Sequence, residues 1–347
     1  MSSAQIPYNS ELKPHVPINW PRFVEIIRGH QRFLLTSHIR PDSDALGSEL
    51  GMALVLESLG KDVRIVNGQS TPPNLRFLDP SGKIKAIGVD VQAADLDDRE
   101  VLMILDTSAW AQLGEMSQVV RTTKARKIIL DHHVSADDLG AEPFKDTMAE
   151  ATGRLVVDAA KQLGVKLTPE IATPLFAALA TDTGWFRFAS TTGDTYRYGG
   201  TLVDAGAHPQ SIYRSLYEQD TLARIKLIGR TLARTQTELD GRLVCTCVRR
   251  EDFDATGALA QDTEDVVNLT LQVAGTEVAV IFVELAAGGV KVSFRSRVSA
   301  SGAQVDCSRL AEKFGGGGHK AAAGATIQET CDEAQRRVLD AVRAAMR

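Results

Sequence analysis

Three short apolar runs in the first half of the chain end abruptly in ionisable residues. That repetition constrains the fold more than any other feature. Lys127-Ile128-Ile129-Leu130 runs straight into Asp131-His132-His133. Phe33-Leu34-Leu35-Thr36-Ser37 runs into His38, with Asp42 and Asp44 close behind, and Val101-Leu102-Met103-Ile104-Leu105 runs into Asp106. Short continuous apolar runs suit strands buried on both faces, the habit of parallel sheets. In open α/β sheets, ligands gather beyond the carboxyl ends of such strands. Helical stretches separate the runs. A stripe of Trp20, Phe23, Ile26 and Ile27 precedes the first, and residues 45–59 form a helix that Gly60 stops. Residues 63–66 read as a further strand, and residues 111–121, 150–163 and 169–180 read as helices, the last running into Thr181-Asp182-Thr183-Gly184. Strands alternating with helices predict a parallel α/β sheet.

The character changes at the turn signal Asp240-Gly241. Before it, residues 185–240 are mainly helical, and the run 221–239 reads as one long exposed helix leading to a linker. After it, residues 243–248, 277–285 and 290–295 read as strands, with Gly288-Gly289 as a hairpin turn. Helices are expected near 265–273, 306–314 and 329–345. With 347 residues and a prior of about 100–200 residues per domain, two domains follow: residues 20–238, and a smaller α/β domain over 242–347. Residues 1–18 carry three prolines and little periodicity, and read as a loose arm.

Composition narrows the function classes. The net charge of −5 and pI of about 5.9 argue against a protein that coats nucleic acid broadly. Cys245, Cys247, Cys307 and Cys331 show no CxxC spacing and read as buried thiols of a reducing compartment. No apolar run approaches the about 18 residues of a membrane span, and the N-terminus lacks a signal-peptide core. A cytoplasmic protein without a membrane partner is expected.

The ionisable residues at the strand ends have ordinary readings one by one. Asp131 could cap a helix beside two surface histidines, and Asp42 and Asp44 could be turn and N-cap residues. Asp106 could cap the segment after it, and Asp182 with Gly184 could be a simple turn. Taken together they crowd five carboxylates and three imidazoles at one sheet edge. Like charges in one place need a counter-charge. Oxygen and imidazole donors suit Zn, Mn, Fe or Ni, and a pair of such ions can activate a water and steady a leaving oxygen.

Further on, Gly315-Gly316-Gly317-Gly318 precede His319 and Lys320. Consecutive glycines let backbone N–H groups approach an anion, and Arg295, at a strand end, can grip phosphate with its forked guanidinium. A flexible linker is the alternative reading. Trp185-Phe186-Arg187-Phe188 suits core packing better than base stacking.

Taken together, His38-Ile39-Arg40-Pro41-Asp42-Ser43-Asp44, the isolated Asp106, Asp131-His132-His133 and Thr181-Asp182-Thr183-Gly184 resemble the four motifs of the DHH phosphoesterase superfamily. Ser293-Phe294-Arg295-Ser296, the glycine run with His319, and Ala322-Ala323-Gly324 resemble its DHHA1 domain. The compact layout is similar to the nano-RNase/pAp-phosphatase branch. The resemblance implies a DHH domain and a DHHA1 domain with the active-site cleft between them. It implies two Mn2+ ions, one held by His38, Asp42 and Asp106 and the other by Asp44, Asp106, His132 and Asp182. His133 would face the substrate phosphate, Asp131 would orient the histidines, and Arg295, Gly315, Gly316, Gly317, Gly318 and His319 would bind substrate. The implied reaction is hydrolysis of short RNA oligonucleotides to mononucleotides, and of 3′-phosphoadenosine 5′-phosphate (pAp) to AMP, by metal-activated water. A homodimer is compatible with the resemblance. The alternative within the class is a cyclic- or linear-dinucleotide phosphodiesterase of the c-di-AMP or pApA type. A pyrophosphatase fits the glycine run less well, and a RecJ-like exonuclease would need a further domain. A nucleotide sensor without activity would be expected to have lost a ligand, and none is missing.

Overall fold

The apolar runs become buried parallel strands. The computed structural model describes residues 17–299 and 301–346, so most of the arm expected over residues 1–18 lies outside the described residues. Strands β1 (Arg32–Thr36), β2 (Asp62–Asn67), β3 (Ile84–Ala86), β4 (Val101–Leu105), β5 (Arg126–Asp131) and β6 (Glu142–Lys145) form one sheet. Its order is β3-β2-β1-β4-β5-β6, with every pairing parallel. The strand order reverses between β1 and β4, and the crevice at such a switch point is where doubly wound folds bind ligands.

Both faces of this sheet are covered. Phe33, Leu35, Val101, Met103 and Leu105 join one core, while Leu34, Leu102 and Ile104 join the other. That two-sided burial is why the runs are continuously apolar rather than alternating. The helices of this unit are α1 (Trp20–Gly29), α2 (Ser43–Ser58), α3 (Met116–Thr122), α4 (Thr152–Leu163), α5 (Pro169–Asp182), α6 (Gly193–Asp204) and α7 (Pro209–Tyr217). α2 packs on α5 through glycine: a Cβ on Gly47 would stand 2.3 Å from the Pro174 carbonyl oxygen, and one on Gly51 would stand 2.4 Å from Leu175. Only glycine permits this approach, which draws the start of α2 and the end of α5 to the same sheet edge. The helix expected over 111–121 is divided. A single turn at Trp110–Gln112 is separated from α3 by Gly114 at φ +51°.

The chain divides between Gln219 and Asp220 into two compact units. The second holds α8 (Leu222–Ala233), α9 (Arg250–Thr256), α10 (Val266–Thr270), α11 (Cys307–Glu312) and α12 (Cys331–Ala345). Its sheet comprises β7 (Gln236–Glu238), β8 (Leu243–Val248), β9 (Val278–Glu284), β10 (Val290–Ser296), β11 (Gly317–His319) and β12 (Ala322–Ile327), in the order β11-β12-β10-β9-β8-β7. Only β8 and β9 pair in parallel. The long exposed helix expected over 221–239 is corrected here. α8 ends at Ala233, and Gln236–Glu238 turns back to pair with β8. α8 is not exposed on all sides either, because Leu227 packs with Val248, Ala279 and Ile281. All four cysteines are buried and free. No helix of the described residues is long and apolar enough to cross a membrane.

Candidate functional site

The switch point collects side chains from five separate places in the chain. His38 follows β1, Asp42 caps α2, Asp44 stands in its first turn, Asp106 follows β4, His132 follows β5, and Asp182 ends α5. Asp42 caps by accepting from the N–H groups of Asp44 and Ala45 at 3.0 and 3.1 Å. Asp106 sits at φ +60°, a left-handed conformation that non-glycine residues adopt rarely and that tends to mark functional sites.

The potential ligand atoms fall into three groups, within each of which they lie within 4.8 Å of one another: His38, Asp42 and Asp106; Asp44, His132 and Asp182; and Asp106, His132 and His133. Asp106 belongs to the first and third of these groups and divides its two oxygens between His38 and His132. Oδ2 lies 3.4 Å from His38 Nε2, and Oδ1 lies 3.5 Å from His132 Nε2. Asp182 Oδ2 and Asp44 Oδ2 stand 3.5 and 3.8 Å from the same His132 nitrogen, and Asp42 Oδ1 stands 3.9 Å from His38 Nε2.

These distances exceed a hydrogen bond, and the far side of each ring explains them. His38 Nδ1 donates to the Ile39 carbonyl at 3.0 Å, and His132 Nδ1 donates to the Ala149 carbonyl at 3.1 Å. Each Nε2 is thereby turned toward the carboxylate oxygens. Imidazole nitrogens and carboxylate oxygens converging on one place are a donor set that suits a bound cation. The electrostatics agree. Burial, then the neighbouring Asp44 and Asp42 charges, push Asp106 well above the ordinary carboxylate range. Burial also raises Asp44, and burial with the Asp44 charge raises Asp182 to about 7. A cation would relieve this crowding.

The N-terminus of α4 supports the cluster. Asp44 accepts from the Thr152 and Gly153 N–H groups, each at 2.8 Å, and the Thr152 hydroxyl donates to Asp106 Oδ1 at 2.9 Å. Orphan N–H groups at a helix start are natural carboxylate partners. Asp131 is fully buried. Burial acts to raise it, but hydrogen bonds from His133, Lys145 and Ser108 hold it well below the usual range. His133 Nδ1 lies 2.8 Å from Asp131 Oδ1, which raises the His133 pKa, and the ring is half-exposed. Thr152, Gly153, Ser108 and Lys145 carry no sequence signal for these roles, apart from lying within a few residues of a motif or at a strand end.

In the second unit, register places Arg295, Ala322 and His319 in one row across β10, β12 and β11, with Ser293, Gly324 and Gly317 in the parallel row on the same face. Alternation therefore sets Arg295 and His319 on one side of the sheet, separated by small residues. Arg295 Nε donates to Asn268 Oδ1 at 3.2 Å, and its Nη1 donates to the Phe294 carbonyl at 3.0 Å. The glycine run is not a free loop: Gly317 and Gly318 belong to β11, while Gly315 turns at φ +73°. Trp185 and Phe186 pack partly against the core, and Phe188 is exposed.

A doubly wound sheet whose switch point carries shared carboxylate–imidazole groups, followed by a mixed-sheet unit with a glycine-lined cationic row, defines a class: α/β phosphoesterases. Two family models match, the DHH family N-terminal domain over residues 32–179 and the DHHA1 domain over residues 243–347. A bifunctional oligoribonuclease and PAP phosphatase of Thermus thermophilus is 36% identical over 312 residues, 89% of this chain and 88% of its own length. The protein of the same name from Bacillus subtilis is 26% identical over 320 residues, 91% of this chain and 96% of its own. The crystal structure of an exopolyphosphatase-related protein from Bacteroides fragilis matches with a TM-score of 0.81 at 25% identity, covering 96% of this chain and 98% of that one. The chain belongs to the DHH family of phosphoesterases and carries its DHHA1 domain.

Proposed function

We propose that the chain hydrolyses short oligoribonucleotides to mononucleotides and 3′-phosphoadenosine 5′-phosphate to AMP. The activities named for its relatives support this reading. The observation that carries it is the split of Asp106 between two imidazole-bearing groups, at 3.4 Å from His38 and 3.5 Å from His132. His38, Asp42 and Asp106 would hold one divalent ion, and Asp44, Asp106, His132 and Asp182 would hold the second. Mn2+ suits this oxygen and imidazole set. When bound, such a pair would lower the pKa of water and offset charge on the phosphoryl oxygens.

The protein's own groups then have separate tasks. His133, with Nδ1 committed to Asp131, offers Nε2 to a phosphoryl oxygen. Asp131 fixes that ring. Arg295, the Gly315 to Gly318 backbone and His319 hold the substrate's other phosphate. The buried free thiols suit a reducing cytoplasm.

The test is a Mn2+-supplemented panel of an RNA dinucleotide, pAp, a cyclic dinucleotide and pyrophosphate, scored by product chromatography and run beside Asp106→Ala. RNA dinucleotide and pAp should lead. Asp106→Ala should lose turnover on both by several orders of magnitude, with reduced metal content and an unchanged circular dichroism spectrum. Preference for pyrophosphate or a cyclic dinucleotide would refute the substrate assignment. A fully active, metal-replete variant would refute the bridge.

A further inference from the structure

We propose that Lys145 is a positioning residue for His133, acting through Asp131 and Ser108. The inference rests on the reading that His133 acts on substrate. Lys145 ends β6, in register with Asp131 at the end of β5. Its ammonium has three donors, and all three find oxygen: Ser108 Oγ at 2.7 Å, Asp131 Oδ2 at 2.8 Å and the Ser135 carbonyl at 3.0 Å. The Lys145 side chain is 15% exposed, and that of Asp131 is wholly buried.

The two Asp131 oxygens are divided by this arrangement. Oδ1 takes the His133 backbone N–H at 3.0 Å and His133 Nδ1 at 2.8 Å. Oδ2 takes the Ser108 hydroxyl and the Lys145 ammonium. A carboxylate held on both oxygens cannot turn, so the imidazole it holds cannot turn either. The Nδ1 proton stays toward Asp131 and Nε2 stays outward. Through Ser108 the ammonium also fixes the segment after β4, and through Ser135 the segment after His133. A buried ion pair is in itself weak evidence for stability. Here its geometry has a specific result, the orientation of one half-exposed ring. Partners that orient a functional histidine typically matter about 10–100-fold.

The experiment is a double-mutant cycle on the Mn2+-loaded full chain, with kcat and KM for pAp and for an RNA dinucleotide. The variants are Lys145→Met, His133→Ala and both together. Ser108→Ala runs in parallel because it removes the second donor to Oδ2 without stranding a charge. Metal content and circular dichroism accompany each, and the downfield proton resonance of the His133 Nδ1–H is recorded with diamagnetic Mg2+ in place of Mn2+, which would broaden it beyond detection. Lys145→Met should lower kcat about 10–100-fold, leave KM and metal content near wild type, and weaken the Nδ1–H resonance. The double variant should be no slower than His133→Ala alone, because a residue acting only through another adds nothing once that one is gone. Ser108→Ala should be milder and equally non-additive. Multiplicative losses, a wild-type kcat in Lys145→Met, or loss of metals or of the helical signal in that variant would each overturn the proposal while leaving His133's role standing. A fully active His133→Ala would instead overturn the reading beneath it.

Discussion

Glu49 is a carboxyl that the site does not use. It sits inside α2 with no solvent exposure and accepts from Asn67 Nδ2 at 2.8 Å. Burial raises its pKa from 4.5 to about 8. Because the folded value lies above the unfolded one, the folded state binds the extra proton. Stability from this group is fully present below pH 4.5 and is lost as pH rises toward 8. Glu49→Gln should therefore raise the melting temperature at pH 8 by at least about 2–4 °C, with no gain near pH 4.5, measured by calorimetry across that range. A pH-independent difference would refute it. Glu49 also marks what a sequence can say at this scale. His38, Asp106 and Asp131-His132-His133 were legible because each directly ends an apolar run. Glu49, Lys145 and Thr152 were not, because their meaning comes from partners distant in sequence: Thr152 reaches Asp44 across 108 residues and Asp106 across 46.

At the level of elements, β11 is held to β12 by the absence of side chains. A Cβ on Gly316 would stand 2.1 Å from the Gly324 carbonyl oxygen and 2.6 Å from Ala325 Cβ, and one on Gly318 would meet Ala323 Cα at 2.6 Å. Backbone cannot yield as a flexible side chain can. Gly316→Ala should push β11 off the sheet and carry His319 out of its row with Arg295. KM for pAp should then rise about 10-fold or more, in keeping with the loss of one charge-assisted contact. Metal content and hydrolysis of a small ester, bis-p-nitrophenyl phosphate, should stay near wild type. Equal loss on both substrates would place this strand in the chemistry. The same strand shows why part of the fold was hard to read. β1, β4, β5, β8, β9 and β10 announce themselves as apolar or β-branched runs. β3, β6, β7, β11 and β12 are three to six residues long, and carry Lys85, Pro143, Glu238, Gly317 or Gly324. Four of these five are edge strands, which need little apolar surface, and proline is tolerated there. α8 misled for the opposite reason: it read as exposed in the sequence, while the burial of Leu227 against β8 and β9 could not be seen there.

For the whole molecule, the decisive quantities are charge and the number of phosphate-handling sites. On the proposed reading, the carboxylate–imidazole cluster takes one phosphate of the substrate and the row of Arg295 and His319 takes another. A substrate that uses both must present at least two phosphates, which pAp and a short oligoribonucleotide do. A long strand presents many more, and each further phosphate needs its own Lys or Arg to replace released counterions. With 39 basic against 44 acidic residues, the chain has no general surplus of cations to meet that demand. Extra nucleotides therefore add repulsion and disorder without adding contacts. Dimers to pentamers of RNA should be cleaved much faster, in kcat/KM at fixed salt, than chains of about twenty nucleotides. Turnover of pAp should fall with turnover of the dimer in Asp182→Ala, because both would use the same centre. If the long chain were cleaved faster, the phosphate-counting argument would fail. If pAp turnover survived in Asp182→Ala while dimer cleavage did not, the two activities would belong to different sites.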